Sequence, residues 1–465
     1  MQYIKSPFTS DHEGGKIAAA VVLLLITVSP LSMTDWSAEA KGFNVRPAEA
    51  NHSIPSLQRV AAITYLKEHK LYESLRSAHA ARTQQVDNSI LAPLFSEEQK
   101  LTASDAGAFD LFGFSVAVSG SIVVVGAWRA DIGGNPNQGS AYVFNRQGGS
   151  WVEAQKLTAS DGAAGDSFGF SVAISGSTIV VGAWLDDIGG NPDQGSAYVF
   201  NRQGGSWVET LKLTASDGAA RSLFGSLVAV SNSTVVVVAP GLRLAYVYNR
   251  EGESWVETQK LTASDREFNA SFGSSVAMSG STIVVGASGD NSVRGAAYVF
   301  NRQGGSWVET QKLTASDREL FDGFGISVAI TGSAIVVGSG GDDIGGNIDQ
   351  GSVYVFNRQG GSWVEEQKLT ATDGGPGSFF GDSVAISGST IVVGVPFKVI
   401  GGHLTGGSVY IFNRQGGSWV EAQQLTASEV FAFLGTSVAI SGSTIVAGAQ
   451  SSGNINQGSV HVFRP

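Results

Sequence analysis

From residue 96 onward, short apolar runs alternate with clusters of Gly, Ser and Asn, and the order of the runs recurs. In one copy Phe168-Gly169 opens Ser171-Val172-Ala173-Ile174-Ser175, a short strand. A Ser-Gly-Ser turn leads to Thr178-Ile179-Val180-Val181-Gly182-Ala183. A longer polar loop then precedes Ala197-Tyr198-Val199-Phe200. The Asn-Arg-Gln-Gly-Gly turn at 201–205 returns the chain into Trp207-Val208-Glu209 and Leu211-Lys212-Leu213. These β-branched or aromatic runs, bounded by turn formers, predict four strands per copy. The Phe-Gly pair recurs at Phe112, Phe168, Phe224, Phe272, Phe324 and Phe380, with Leu434-Gly435 as a degenerate seventh, at intervals of 48 to 56 residues.

Four strands in about fifty residues match one blade of a β-propeller. Each predicted sheet is apolar on both faces and so needs a neighbour on either side. The ends of the array decide closure. Glu98-Gln99-Lys100-Leu101-Thr102-Ala103-Ser104 is a fourth-strand sequence with no blade before it. The last copy runs through its third strand, Ser459-Val460-His461-Val462-Phe463, and Pro465 follows shortly. Joining the spare strand to the incomplete blade removes an exposed edge. The expected fold is therefore all-β, a seven-bladed propeller over 96–465 closed by its N-terminal strand.

The segment before it differs. Ile17 to Val28 is almost wholly apolar and follows Lys5 and Lys16, with Ala38-Glu39-Ala40 beyond. That pattern fits an export signal, or a membrane anchor, over residues 1–40. Residues 41–95 place Leu57, Val60, Ala61, Leu71, Leu75 and Ala78 on one side of a helical wheel, which predicts a short N-terminal helix. The expected location is outside the cell, at its surface or in the periplasm, with the membrane reached only through this segment.

Charge and composition remove several function classes. A formal charge of −11 disfavours a nucleic-acid partner. With no cysteine, disulfides, thiolate metal sites and Cys nucleophiles are excluded. The chain carries no nucleophile elbow, His-x-x-x-His pair, phosphate loop or dinucleotide fingerprint.

The repeats resemble FG-GAP repeats, the units of the integrin α-subunit head that also occur in many exported bacterial proteins. Both ends of the motif are present: Phe168-Gly169 with Gly182-Ala183, Phe272-Gly273 with Gly286-Ala287, and Phe380-Gly381 with Gly394-Val395-Pro396. The resemblance covers all but the N-terminal segment and implies the fold, while function does not follow from it, because such folds host many unrelated roles; a monomeric propeller is expected. Integrin-type repeats can carry an acidic calcium loop between the first two strands. Here that connection is only Ser175-Gly176-Ser177 or its equivalent, too short to supply six to eight oxygens.

Strand alternation divides the connections between two rims. One holds the Ser-Gly-Ser and Asn-Arg-Gln-Gly-Gly turns, which barely change between copies. The other varies, from Asp186-Asp187-Ile188-Gly189-Gly190-Asn191 to Gly241-Leu242-Arg243 and to Phe397-Lys398-Val399-Ile400 followed by His403. Variable loops on a rigid scaffold are where binding usually resides. Trp128 and Trp184, beside Asp131, Asp186 and Asp187, are candidate ligand contacts, although tryptophan there also serves to cover adjacent loops. Asp187, Asn191 and Asp193 recur as Asp343, Asn347 and Asp349 and as Asp131, Asn135 and Asn137. They are candidate calcium ligands, and such side chains equally bond their own backbone. No other cofactor is expected. Asp105, Asp161, Asp217, Asp265, Asp317, Asp373 and Glu429 follow each Thr-Ala-Ser or Thr-Ala-Thr run, and recurrence in every copy marks them as structural. Two functions fit these features: an exported binding or adhesion module for protein or glycan, and a polysaccharide hydrolase or lyase using dispersed rim residues. A carboxylate pair converging in a deep axial cleft would mark the second.

Overall fold

The computed structural model describes residues 94–465, apart from 266–270, 291–293, 401–405 and 428–431. Residues 1–40, expected to be an export signal or anchor, and residues 41–93 of the segment expected to hold a helix lie outside the described residues, as do His403 and Glu429. Among the described residues, no helix is long and apolar enough to cross a membrane.

Seven four-stranded antiparallel sheets follow one another, each in the order of the sequence except the last. Blade 2 is typical, with strands Phe168–Ser175, Thr178–Ala183, Ser196–Gln203 and Ser206–Leu213. The first strand of every blade lies against the first strands of its neighbours, which places it around the axis and the fourth strand outermost.

The alternation of strand side chains explains the unbroken apolar runs. In the second strand of blade 1, Val123 and Val125 face blade 7, in a cluster with Val446, Val460 and Val462. Ile122 and Val124 point the other way, to meet Phe168, Ile179, Val181, Tyr198 and Phe200 of blade 2. Both faces are therefore core, and seven such clusters are the seven joints of the ring.

The two ends of the repeat motif turn out to be one contact between neighbouring blades. Phe168 sits edge-on to Tyr198 and Phe200 of its own blade, with centroids 5.4 and 6.1 Å away. Gly169, at φ 94°, presses its carbonyl onto Gly126 of blade 1. A Cβ built on Gly126 would lie 1.9 Å from that oxygen, so only glycine allows the approach. The same oxygen accepts a hydrogen bond from Ser115 Oγ at 2.9 Å. Blade 3 departs from the pattern. Val238 replaces the glycine there, and its side chain occupies the space beside Gly273 of blade 4.

Outside this seam a second set of contacts joins the outermost strands. Gln155 Oε1 accepts from the Trp207 amide, and its Nε2 donates to the Trp207 carbonyl, at 2.8 and 2.7 Å. Ser160 donates through both N and Oγ to Glu209 of the next blade. These pairs recur around the ring and account for the near-identity of the Trp-Val-Glu and Thr-Ala-Ser segments. At the joint between blades 2 and 3 the glutamine is replaced by Leu211, which packs into the apolar cluster instead.

Closure occurs as the sequence predicts. Strand Ser96–Leu101 pairs with Ser459–Arg464 in the register Gln99 to Val462, Lys100 to His461 and Leu101 to Val460. Phe95 takes the place held by tryptophan in the other blades. Its amide and carbonyl are both bonded by the side chain of Gln423. Glu98 ties the closing strand onward to blade 1 by accepting from Trp151 Nε1 at 3.1 Å and pairing with Arg146.

Candidate functional site

The connections from second to third strand, and from each blade to the next, gather on one rim, as the alternation requires. Its loops are held from within. In blade 2, Ile188 and Asn191 exchange backbone hydrogen bonds, and Asp187 Oδ1 accepts from the Asp193 amide at 2.8 Å. Asn191 Nδ2 donates to Gln194 Oε1 at 2.9 Å, and the Gln194 carbonyl accepts from the amide of Phe224 in blade 3. Asp131 with Asn137, and Asp343 with Asp349, repeat the arrangement. Asp187 and Asp131 remain exposed at the surface. The three calcium candidates Asp187, Asn191 and Asp193 thus share one loop, with Asn191 directed to Gln194. Among the described residues, no group of three or more His, Asp or Glu is disposed around a cation position.

Asp186, adjacent in sequence to Asp187, turns inward. It is buried, accepts from Ser196 Oγ and Tyr198 OH, and pairs with Lys212 at 2.7 Å. Its carboxylate is therefore committed beneath the rim and is not presented to a ligand.

The recurring acid belongs to the same cluster. Asp161 accepts from Tyr198 OH and pairs with Lys212, both at 2.7 Å, and Lys212 lies over the Tyr198 ring. Asp105, Asp265 and Asp317 repeat these partners with the tyrosine and lysine of their own blades. The sixth blade inverts one charge. Gln424 stands in the lysine position, and Lys398 stands where blade 2 has Asp186. Lys398 pairs with Asp373 at 3.1 Å, so the cation reaches the same acid from the loop.

Burial of Asp161 opposes its ionisation, but hydrogen bonds from Lys212 and Tyr198 outweigh this and hold the carboxyl below the usual range. Asp105, Asp265 and Asp317 are lowered for the same reasons. A carboxyl depressed in the folded state contributes stability above its unfolded value of roughly 3.9, and this is lost as pH falls through the native value. The melting temperature should accordingly drop on acidification below about pH 4. Thermal melts of the protein and of Asp161→Asn across that range check this, with a shallower acid limb expected for the variant.

The rim's most distinctive surface is aromatic. Trp184 stacks on Phe170 at 4.5 Å, Phe170 meets Phe114 at 4.9 Å, and Trp128 lies edge-on to both phenylalanines. All four rings are partly exposed, and Arg129 rests over Trp128 at 4.8 Å. The indole N–H groups of Trp128 and Trp184 are buried, with no hydrogen-bond partner among the described residues. A second group, Phe379, Phe397 and Phe433, belongs to blade 6 and the links on either side of it, with centroids 5.5 and 5.6 Å apart. Phe379 and Phe433 are held at φ 54° and 53°, the left-handed conformation that this position also adopts at Leu111, Ser167, Leu223, Ser271 and Gly323. Sequence reading singled out the two tryptophans, placed Phe397 on the variable rim without giving it a role, and missed Phe114, Phe170, Phe379 and Phe433. Their signal was departure from the repeat, since Phe114 and Phe170 occupy a position that is Ser in blades 3 and 4.

Together these features define a closed β-propeller with one uniform rim and one individual, partly aromatic rim. Seven segments, 95–144, 151–200, 207–248, 255–300, 307–356, 363–412 and 419–463, match the family model of the FG-GAP repeat, and the chain belongs to that family. Each matched segment begins at the outermost strand of one blade and ends in the third strand of the next, so every repeat spans a joint. A comparison with curated proteins gives no match.

Proposed function

We propose that this protein is an exported binding or adhesion module whose variable rim meets a protein or glycan ligand. The observation that carries the reading is the aromatic arc. It runs from the links flanking blade 6, past blade 7, to Trp128 and Trp184 of blades 1 and 2. The uniform rim, built by the same repeat, has no counterpart among the described residues. Partly exposed aromatic side chains supply large contact area at low entropic cost, which suits recognition. Asp131 and Asp187 flank the arc and offer polar contacts.

The alternative, a polysaccharide-cleaving enzyme, needs two carboxylates in distinct environments facing a substrate. The residues following each Phe-Gly pair, at the head of the innermost strands, provide one acid, Asp382. That favours binding over cleavage.

The test is a screen of glycans and surface proteins with the full chain. The double variant Trp128→Ala/Trp184→Ala should then lose roughly thirtyfold or more in affinity for any hit while keeping its melting profile. A control altered in the 201–205 turn should bind as the parent does. Binding lost in the control and kept in the tryptophan variant would place the ligand on the other rim.

A further inference from the structure

Each outermost strand bulges at one residue, and that residue decides what meets the arginine of the next blade. In the closing strand it is Glu98, which the register with Ser459–Arg464 skips. One oxygen of its carboxylate accepts from Arg146 Nη2, the other from Trp151 Nε1 at 3.1 Å. In blade 5 it is Glu366, whose two oxygens both bond Arg414, at 2.6 and 3.2 Å. In blades 3 and 4 it is Thr258 and Thr310, and the acid is missing. Their hydroxyls donate to Val247 and Val299, carbonyls of their own blades.

The arginines opposite these two threonines are Arg302 and Arg358. Both are exposed, and neither has a carboxylate partner among the described residues. Each lies over the tryptophan of its own blade, 6.0 Å from the ring centroid. Trp307 and Trp363 are 3 and 4 % exposed, and their indole N–H groups are buried with no hydrogen-bond partner among the described residues. Strands Ser254–Leu261, Ser306–Leu313 and Ser362–Leu369, which bound these joints on the outside, are described throughout. A buried donor without an acceptor is costly, and the guanidinium beside it is a fork suited to a carboxylate. Glu98 shows within the same ring what satisfies such a pair. Where Glu366 gives both oxygens to Arg414, Trp419 Nε1 stays unpartnered, so the guanidinium is the principal contact and the indole the second.

We infer that the joints between blades 3 and 4 and between blades 4 and 5 bind carboxylates of an acidic polysaccharide, one at Arg302 with Trp307 and one at Arg358 with Trp363. This surface is the outer flank beside the uniform rim, and it is independent of the aromatic face. Two like sites in successive repeats suit a polymer whose charge also recurs, because the second contact becomes intramolecular. Val308, 42 % exposed on the strand between the two sites, offers apolar surface to a sugar ring. Glu251 and Glu253 occupy the adjoining turn of blade 3, so a flat anionic membrane laid on the rim would meet acids as well as bases. The net charge of −11 opposes a polyanion at long range, but salt screens that repulsion beyond about 10 Å, and the paired contacts act at shorter range.

The experiment titrates the full chain with a galacturonate hexamer, with its methyl ester as the neutral equivalent, with a hexaglutamate peptide and with phosphatidylglycerol vesicles. The acid hexamer should bind at least about tenfold more tightly than the ester. Thr258→Glu/Thr310→Glu gives each arginine the carboxylate that Glu366 gives Arg414. It should remove that preference and raise the melting temperature. Arg302→Gln/Arg358→Gln should remove the preference without the gain in melting temperature. Equal binding of hexamer and ester, binding of neither, or a preference that survives in either double variant would overturn the proposal. Tighter binding of the peptide would overturn it in favour of an acidic protein, and binding of the vesicles alone in favour of a membrane. Trp128→Ala/Trp184→Ala should leave the preference unchanged, and its loss there would place the acid on the variable rim and overturn the proposal.

Discussion

Deletion of residues 94–104 should destroy most of the stability of the propeller. The deletion removes Phe95 and Leu101, each buried in a different joint, together with a full ladder of backbone pairs to Ser459–Arg464. Burial of two large apolar side chains contributes about 4 kcal/mol, and the lost bonds of Gln423 and Glu98 add about 2 kcal/mol more. A single domain has only about 5–15 kcal/mol in total. The deletion also bares the third strand of blade 7 as a sheet edge, so aggregation should accompany the loss. Chemical denaturation, read by tryptophan fluorescence and by size-exclusion, checks both. A truncated protein with the parent's midpoint would contradict closure by this strand.

The second large effect is expected from one methyl group. Gly182→Ala would set a Cβ 1.8 Å from the carbonyl oxygen of Gly225, closer than real atoms come. The obstacle is backbone on both sides, so neither blade can yield without moving its neighbour. Overpacking typically destabilises by about 1–3 kcal/mol, and with backbone on both sides the upper end of that range is expected. Gly332→Ala is the control, since that glycine has an ordinary φ and open space around it. A thermal melt of the two variants beside the parent should show a large drop for the first and almost none for the second. Val238 marks where the ring has solved the problem differently, because there the larger side chain sits against Gly273.

The fold was legible because one unit is written seven times, and the unpaired strand sequences at the two ends declare each other. The register Leu101 to Val460 follows from that symmetry. The site was legible only in outline. Asp186 and Asp187 look interchangeable in sequence, yet one lies under the rim and the other on it. The clue was internal: Asp186, Asp290 and Asp342 share one repeat position and each pairs with the lysine of its own blade, whereas Lys398 at that position accompanies Gln424. Whether an acid is paired is a property of the assembled ring.

The direction of the closing strand bears on how the molecule would respond to force. Residue 94 enters beside the uniform rim, and the strand then runs toward the variable one, antiparallel to Ser459–Arg464. Tension between a tether on the N-terminal side and a ligand held at the opposite face would act along the strand axis. Its hydrogen bonds would then be loaded in shear, all at once, rather than peeled one after another from an end. Slippage of the ladder would also have to drag Leu101 out of the cluster it shares with Val460 and Val462. Under such a pull the joint that looks like an afterthought of connectivity would be a strong one, and yielding would begin elsewhere in the ring.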